Sequence, residues 1–81
     1  MRVKLLYFAV LRDIMGEEEA VVTLPEGARA ESVWAMLRER HPALDRYERP
    51  PMLAINEDYA TADSELKDGD ELAFIPPVAG G

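Results

Sequence analysis

The residue types best suited to chemistry stand at the carboxyl end of the chain, which closes with Val78, Ala79, Gly80 and Gly81. An α-carboxyl has an ordinary pKa near 3.3–3.7, so at neutral pH it is an anion and a poor electrophile. Before it can react it must be activated, and the expected form is an acyl-adenylate made by an ATP-using partner. The activated carbonyl could then pass to a sulfur donor or to an amine. Two glycines make the terminus slim enough for another protein's active site to enclose it and exclude water.

A proline pair precedes these small residues. Pro76 and Pro77 have φ near −65° and donate no hydrogen bond, so they cannot continue the interior of a sheet. Ile75 is held extended by the proline that follows it. The sequence therefore predicts a folded domain over residues 1–75 and an extended, flexible tail over residues 76–81, with a reach of about 20 Å. A frayed terminus is the alternative reading, but the combination of prolines, small residues and double glycine favours a functional tail.

Composition limits the classes of function. The chain has 81 residues, 48% of them hydrophobic, which indicates one small folded domain. It has no cysteine, which excludes disulfides, thiolate metal sites and thiol catalysis by the chain itself. We expect no bound metal or cofactor. The net charge of −7 disfavours nucleic acid and favours protein partners with basic faces. With neither a signal peptide nor an apolar run of membrane-spanning length, the sequence predicts a soluble cytoplasmic protein.

Hydrophobic patterning predicts the first elements. Alternation over Met1 to Val10 indicates a buried strand, with Val3, Leu5, Tyr7 and Ala9 on its apolar face. A helical turn follows and ends at Gly16. A second strand over Ala20 to Leu24 should pair antiparallel with the first.

The main helix is expected from Ala30 to Arg40, with Trp34 in its buried stripe. Its N-cap should be weak, because neither residue 28 nor residue 29 is Ser, Thr, Asp or Asn. His41, the only histidine, is assigned to helix termination, and residues 43–51 to a loop.

The second half predicts three more strands. Met52 to Ile55 forms one, a turn follows over residues 56–58, and a short edge strand is expected within Ala60 to Asp63. Glu71 to Ile75 is the last strand, with Leu72 and Phe74 on one face. The element order favours an α+β fold of the β-grasp (ubiquitin-like) type: a mixed sheet of four to five strands with one main helix across one face. Its first and last strands should be parallel neighbours.

Two motifs resemble the small subunit of molybdopterin synthase, a family of ubiquitin-like sulfur carriers. The stretch from Val3 to Ala9, followed by Leu11 and Arg12, is similar to the family's first strand and turn. Residues 66–78, followed by Gly80 and Gly81, resemble its more specific closing motif. Ala79 departs from the pattern, because many relatives have Ser or Thr there, but a small residue is retained.

The resemblance implies a function for the terminus. An E1-like enzyme would adenylate Gly81 with ATP, and a sulfur donor protein would supply the sulfur that converts the adenylate to a thiocarboxylate. The large catalytic subunit would then receive the tail and pass the sulfur to a cyclic pyranopterin precursor, forming the dithiolene of molybdopterin. Two small and two large subunits would form the synthase. Catalytic side chains would belong to the large subunit, so this chain is expected to be a sulfur donor and not an enzyme.

Docking to partners requires an exposed apolar patch as well as the tail. Ile75 and the tail residues Pro76, Pro77, Val78, Ala79 and Gly80 are expected to contact the partner. Phe8, Tyr59 and Ile75 are candidates for the patch, on the sheet face that the helix leaves open, although Phe8 and Ile75 fit core positions equally well.

Other functions share these features. A sulfur carrier for thiazole or thionucleoside synthesis would have the same fold and the same Gly-Gly end. A ubiquitin-like modifier would instead join Gly81 to a lysine of a target protein. A purely structural binding module gives the two glycines no purpose.

Overall fold

A five-stranded mixed sheet with one long helix across one of its faces organises the chain. The structure is a computed structural model, and it describes residues 1–46 and 51–76. Its elements, in chain order, are β1 (Arg2–Tyr7), α1 (Val10–Met15), β2 (Glu19–Thr23), α2 (Ala30–Arg40), a 3-10 helix (Pro42–Arg46), β3 (Met52–Ile55), β4 (Asp58–Ala60) and β5 (Glu71–Ile75). This arrangement is the predicted one: five strands and one main helix.

The first and last strands lie side by side in the middle of the sheet. The strand order is β2-β1-β5-β3-β4. β1 and β5 are parallel, with Leu5 opposite Leu72 and Tyr7 opposite Phe74. The other three pairs are antiparallel. β5 is the middle strand and has a hydrogen-bonded neighbour on each side, so the chain enters the tail from the centre of the sheet.

The core lies between this sheet and α2. Alternate residues of β1 and β5 point toward the helix, and Leu5, Leu72 and Phe74 are fully buried there. Trp34 of α2 is only 6% exposed, and its ring centroid lies 5.7 Å from that of Phe74. Tyr7 stacks on the same phenylalanine at 6.2 Å. Aromatic contacts of this kind add to the stability gained by burying the rings, and the prediction that Trp34 is a core residue is confirmed.

The amino-terminal end of α2 is better capped than the sequence indicated. The expectation of a weak cap is correct for side chains at residues 28 and 29 but wrong for the helix as a whole. The N–H groups of Ala30 and Glu31 donate to the carbonyl oxygens of Ser64 and Ala62, at 3.0 and 2.8 Å. The Ser32 hydroxyl accepts the N–H of the residue before the helix at 3.0 Å. A loop more than 30 residues away therefore satisfies the first helical N–H groups, which otherwise lack partners.

The first strand is shorter than predicted. β1 ends at Tyr7, and Ala9, which was placed on its buried face, is exposed with a φ of 51°. This positive φ turns the chain out of the sheet, so that α1 begins at Val10. The helix then ends at Gly16 as predicted, where a φ of 75° favours glycine.

The edge strand also differs from its predicted position. It spans Asp58–Ala60, not residues 60–63. Asn56 and Glu57 both have positive φ values, 52° and 73°, so they form a two-residue hairpin connection. Because the turn is this tight, pairing with β3 begins at Asp58, two residues earlier than expected.

The segment after α2 was predicted to be a loop. Its first part is instead a 3-10 helix, Pro42–Arg46, whose Leu44 is fully buried against the core. The large apolar side chain of Leu44 explains the difference, since its burial holds the 3-10 helix against the domain. His41 ends α2 as expected, donating its N–H to the Leu37 carbonyl oxygen at 2.8 Å.

Candidate docking groove and tail root

The tail leaves the domain from the end of β5. Ile75 is the last residue of this strand and lies opposite Met52 of β3. Pro76, assigned from the sequence to the tail, is buried, so the described body of the domain includes it. The predicted tail residues Pro77, Val78, Ala79, Gly80 and Gly81 lie outside the described residues, and their roles stay predictions.

We call Ile75 and Pro76, where the tail leaves the domain, the tail root. A groove lies beside it, on the sheet face that α2 does not cover. Its volume is about 340 Å³. Phe8, Tyr59 and Ile75, which the sequence placed on one docking patch, all line it. The full lining comprises Leu6, Phe8, Ala54, Glu57, Tyr59, Glu71, Ala73 and Ile75. The structure therefore brings the three patch candidates together, although their binding of a partner stays a prediction.

The period-2 alternation of the strands builds this groove. On β5, Leu72 and Phe74 point toward α2, so Glu71, Ala73 and Ile75 face the other side. Cross-strand pairing aligns Ala73 with Leu6 on one side and with Ala54 on the other. The two alanines are short and only 8% and 6% exposed, so they form the floor of the depression.

Larger side chains form the rim of the groove around these two alanines. Phe8 is 45% exposed and Tyr59 is 78% exposed, and Ile75 is partly exposed between them and the tail. Phe8 lies one residue beyond the end of β1 rather than within it. Large apolar side chains held in contact with water at one place are typical of surfaces that bind another protein. Of the two readings of Phe8, core or surface, the structure supports the surface.

Leu6, Ala54, Ala73 and Met52 are parts of this face that the sequence reasoning missed. Met52 is 50% exposed and lies opposite Ile75. The signal was present in the alternation, because Leu6, Ala54 and Ala73 each stand between two residues that pack in or against the core. The sequence analysis assigned none of these four residues to the docking patch.

Among the ionisable groups of residues 1–46 and 51–76, Tyr7 and Asp63 have shifted pKa values, and neither lines the groove. Burial raises the pKa of the Tyr7 phenol, the Glu17 carboxylate adds to this, and Arg40 opposes it. The pKa of Asp63 is lowered because its carboxylate accepts a hydrogen bond from the Thr61 hydroxyl and another from its own backbone N–H. These shifts act on the stability of the fold, not on chemistry in the groove.

Among residues 1–46 and 51–76, no three His, Asp or Glu side chains are grouped in a way that could hold a metal ion. Within the same ranges, no helix has the length and apolar character needed to cross a bilayer.

A second concavity, of about 450 Å³, lies at the other end of the domain. The loop between β2 and α2 and the first turn of α2 form it, with Leu24, Arg29 and Met36 among its lining. It shares no lining residue with the groove beside the tail root, so it has no direct part in presenting the tail.

Comparison with known proteins relates this geometry to a family. The ThiS family matches residues 5–81. A molybdopterin synthase sulfur carrier subunit from Chlamydomonas reinhardtii is 41% identical over 83 residues, which covers all of both chains. The chain belongs to the ThiS family, among the molybdopterin synthase sulfur carrier subunits. The resemblance read from the first strand and the closing motif is thereby confirmed.

Solved structures agree with this assignment. A protein from Pyrococcus furiosus, assigned as molybdopterin converting factor subunit 1, superimposes with a TM-score of 0.85 at 34% identity and covers 96% of this sulfur carrier and 99% of its own chain. SAMP1 from Haloferax volcanii, a small archaeal modifier protein, gives 0.83 at 27% identity over the whole of both chains. These neighbours confirm the β-grasp fold.

A third structure contains a partner. It is the complex of subunits 1 and 2 of molybdopterin-converting factor from Helicobacter pylori, and its match has a TM-score of 0.70 at 26% identity, covering all of both chains. In that protein, a domain with this fold is bound to a second subunit.

Proposed function

We propose that this chain is the sulfur donor of molybdopterin synthase and that Gly81 is its reacting residue. An E1-like enzyme joins the Gly81 carboxylate to the AMP part of ATP and releases pyrophosphate. A sulfur donor protein supplies the sulfur that displaces AMP, which leaves a thiocarboxylate. The large subunit then passes this sulfur to the cyclic pyranopterin precursor, where it becomes part of the dithiolene.

One observation carries this proposal: only four residues separate the Gly-Gly end from β5, the strand that is paired with β1 on one side and β3 on the other. Such a strand gives the tail a rigid base, while glycine gives its end the least width. Holding a reacting group by a rigid scaffold reduces the entropy lost when it enters an active site. The family supplies the identity of the reaction, and the groove beside the tail root offers a surface for the enzyme that receives the tail.

Activation, sulfur supply and sulfur transfer are carried out by different proteins. ATP is bound by the activating enzyme, and the catalytic side chains belong to the large subunit, so this chain is consumed and regenerated as a co-substrate. We propose a heterotetramer of two carriers and two large subunits, working in the cytoplasm. The groove, with Phe8, Tyr59 and Ile75, docks the large subunit, and Pro76 to Gly80 lead Gly81 into its active site.

Intact mass measurement tests the proposal directly. The purified carrier is incubated with the activating enzyme, ATP and a sulfide source. We expect a mass gain equal to the replacement of one oxygen by sulfur, and the loss of that gain when the large subunit and the pterin precursor are added. A carrier that gains no sulfur under these conditions contradicts the proposal. A carrier that gains sulfur but never delivers it to the precursor points to thiazole or thionucleoside synthesis.

Protein modification is a second candidate function, favoured by the likeness to SAMP1. A modifier would form an amide between Gly81 and a lysine of another protein, releasing AMP from the adenylate. Incubation of a lysate with tagged carrier and ATP would then give covalent ladders. The double variant Lys4→Arg with Lys67→Arg removes both lysines of the chain and separates self-conjugation from conjugation to other proteins.

A further inference from the structure

The outer edge of β2 presents a row of backbone hydrogen-bonding groups to solvent. β2 lies at one end of the strand order β2-β1-β5-β3-β4, so among the described residues it is paired with another strand on one side only. Its five residues, Glu19–Thr23, lie opposite five consecutive residues of β1, which means that the strand contains no bulge. It also contains neither proline nor lysine. Natural edge strands often have such features, because these prevent pairing with another chain.

Hydrogen bonds to β1 show which backbone groups of β2 point outward. The N–H of Leu24 donates to the Met1 carbonyl oxygen at 2.7 Å, and the Met1 amino group donates to the Leu24 carbonyl oxygen at 2.7 Å. In an antiparallel pair of strands, every second residue is bonded to its partner in this way. The even-numbered residues of β2 therefore bond to β1, and the N–H and C=O groups that point away from it belong to Glu19, Val21 and Thr23.

The side chains of these three residues are exposed on the sheet face that α2 does not cover. Ala20 and Val22 alternate with them and pack against the core, so the strand is held in place. A preformed edge loses less conformational entropy when it pairs than a flexible segment does. Val21, in the middle of the strand, is 54% exposed. An apolar side chain at the centre of an open, regular edge favours pairing with another strand.

A second copy of β2 fits this edge in one register that uses every residue of the strand. If the two copies run antiparallel about a two-fold axis at Val21, this residue lies opposite its own copy and Glu19 lies opposite Thr23 of the second copy. Every outward-facing N–H and C=O group of the strand then has a partner. A register shifted one way would place Pro25, which has no N–H, opposite Glu19. A register shifted the other way would place Thr23 opposite Glu17, which precedes the strand.

The same register brings opposite charges together. Arg2 of β1 lies opposite Thr23, so Arg2, Thr23 and Glu19 of the second copy would form one row across the junction. The backbones of Arg2 and that glutamate would be about 9.6 Å apart, two strand spacings, and their long side chains can meet over the short threonine. Among residues 1–46 and 51–76, Arg2 forms no ion pair, and Glu19 has only a surface contact of 3.8 Å with Lys4. Because the two-fold axis repeats the pair, the edge is complementary to itself in charge as well as in hydrogen bonding.

We propose that two copies of the free carrier associate through their β2 edges, in the register centred on Val21, and join their five-stranded sheets into one continuous sheet. This pairing goes beyond the sulfur donor function and does not depend on it. A two-fold axis perpendicular to the sheet places both open faces on the same side of the dimer. Because β1 lies between β2 and β5, the contact is separated from the tail root. Pairing at this edge therefore leaves both grooves accessible to other proteins.

Sedimentation equilibrium of the full-length carrier across a concentration series tests for the dimer. Salt at about 0.15 M screens the repulsion between two chains of net charge −7. For the wild type we expect the mass to rise from the 9.1 kDa of one chain toward twice that value. Val21→Lys should stay monomeric, because two like charges would lie opposite each other at the axis. Val10→Lys is the matched control, since Val10 is also exposed but lies on α1, and it should associate like the wild type.

Amide hydrogen exchange locates the contact. The N–H groups of Glu19, Val21 and Thr23 should be protected only at concentrations where the carrier is dimeric. Those of Ala20 and Val22 should be protected at every concentration, because they bond to β1. A wild type that stays monomeric throughout the series overturns the proposal. So does a dimer whose added protection lies on β4 or on the open face and not on β2.

Charge reversal tests the register. Arg2→Glu and Glu19→Arg should each weaken dimerisation by roughly tenfold, because each change affects both symmetry-related pairs. The double variant restores opposite charges across the junction, so it should recover most of the wild-type affinity. Unfolding cannot produce such a recovery. If the double variant associates no better than the single variants, the copies do not pair in this register and the proposal is wrong, while the sulfur donor function stands.

Discussion

The face of the sheet beneath α2 and the open face on its other side are made of alternate residues of the same strands. Leu5 and Phe74 on the covered face are fully buried, whereas Tyr59 on the open face is 78% exposed and Phe8 beside it 45%. A shift of one residue along a strand exchanges the two faces. Residues that stabilise the core therefore alternate along the strands with residues that are available to bind a partner. A substitution on one face can change stability or binding without changing the side chains of the other face.

The carboxyl terminus belongs to neither face of the sheet, and changes there should have the largest effect on sulfur transfer. Deleting Gly81, or adding one residue after it, should abolish sulfur transfer and leave stability unchanged, because the described core lies within residues 1–76. A reacting carbonyl must lie about 3–3.5 Å from its attacker, and one extra residue displaces it by about 3.8 Å. Adenylation is followed by ATP–pyrophosphate exchange and transfer by product formed from the pterin precursor. Full activity of the deletion in both assays would show that the carboxyl-terminal mechanism is incorrect.

A change on the covered face should act on stability alone. Trp34→Ala removes a large buried ring next to Phe74 and should lower the free energy of unfolding by about 3–5 kcal/mol. Circular dichroism during denaturant titration measures this, since the variant lacks the chain's only tryptophan. The variant that remains folded should dock like the wild type. A wild-type midpoint would mean that the ring contributes little to the core.

A change on the open face should have the opposite signature. Phe8→Ala should weaken docking to the large subunit by about 1–4 kcal/mol, the usual range for an interface anchor, with little change in melting temperature. Val10→Ala is the matched control, because Val10 is 37% exposed and close in sequence but does not line the groove. Ile75→Ala should resemble Phe8→Ala, with a larger effect on stability because Ile75 is partly buried. If both variants lose as much stability as core truncations do, yet bind the large subunit normally when folded, the open face is not a docking surface.

The smallest expected effect is a pH dependence at the boundary of the covered face. Burial raises the pKa of the Tyr7 phenol, so the folded state favours the neutral form. Its contribution to stability is fully present below the ordinary tyrosine pKa of about 10 and is lost as the pH rises through the raised value. Unfolding free energies measured at alkaline pH should fall more steeply for the wild type than for Tyr7→Phe. If the unfolding free energy falls equally steeply with pH in the wild type and in Tyr7→Phe, the Tyr7 phenol has the same pKa in the folded and unfolded states.

Much of the covered face was predictable from the sequence, because local patterns determine it. The stripe that includes Trp34 has helical period, and Leu72 and Phe74 have strand period, so both were placed correctly. The missed features depend on contacts between distant segments. The carbonyl oxygens of Ala62 and Ser64 that cap α2 carry no side-chain signal. A local error concerns the turn after β3, which was predicted over residues 56–58 but spans only 56–57, without the glycine that usually marks so tight a turn.

The open face was predicted only in part. Phe8 and Tyr59 were identified because large apolar residues are conspicuous there, but the floor residues Ala54 and Ala73 were not. In the sequence, a small apolar residue on a central strand cannot be told from a core residue. The pairing of β5 with β1 and β3 shows which side of the sheet such a residue faces. The position of Glu57 beside Glu71 depends on the side chain of Asn56 reaching across to β5, and no local pattern encodes that contact.

The central position of β5 also has a consequence for biosynthesis. β5 follows the other four strands in sequence and joins β1 to β3, so the five-stranded sheet cannot form until β5 has been translated. Contacts between segments far apart in sequence form slowly compared with local ones. A prematurely terminated product lacking β5 would leave β1 and β3 without their shared neighbour and would not fold. Only molecules translated through β5 would present the groove, because Glu71, Ala73 and Ile75 of that strand line it.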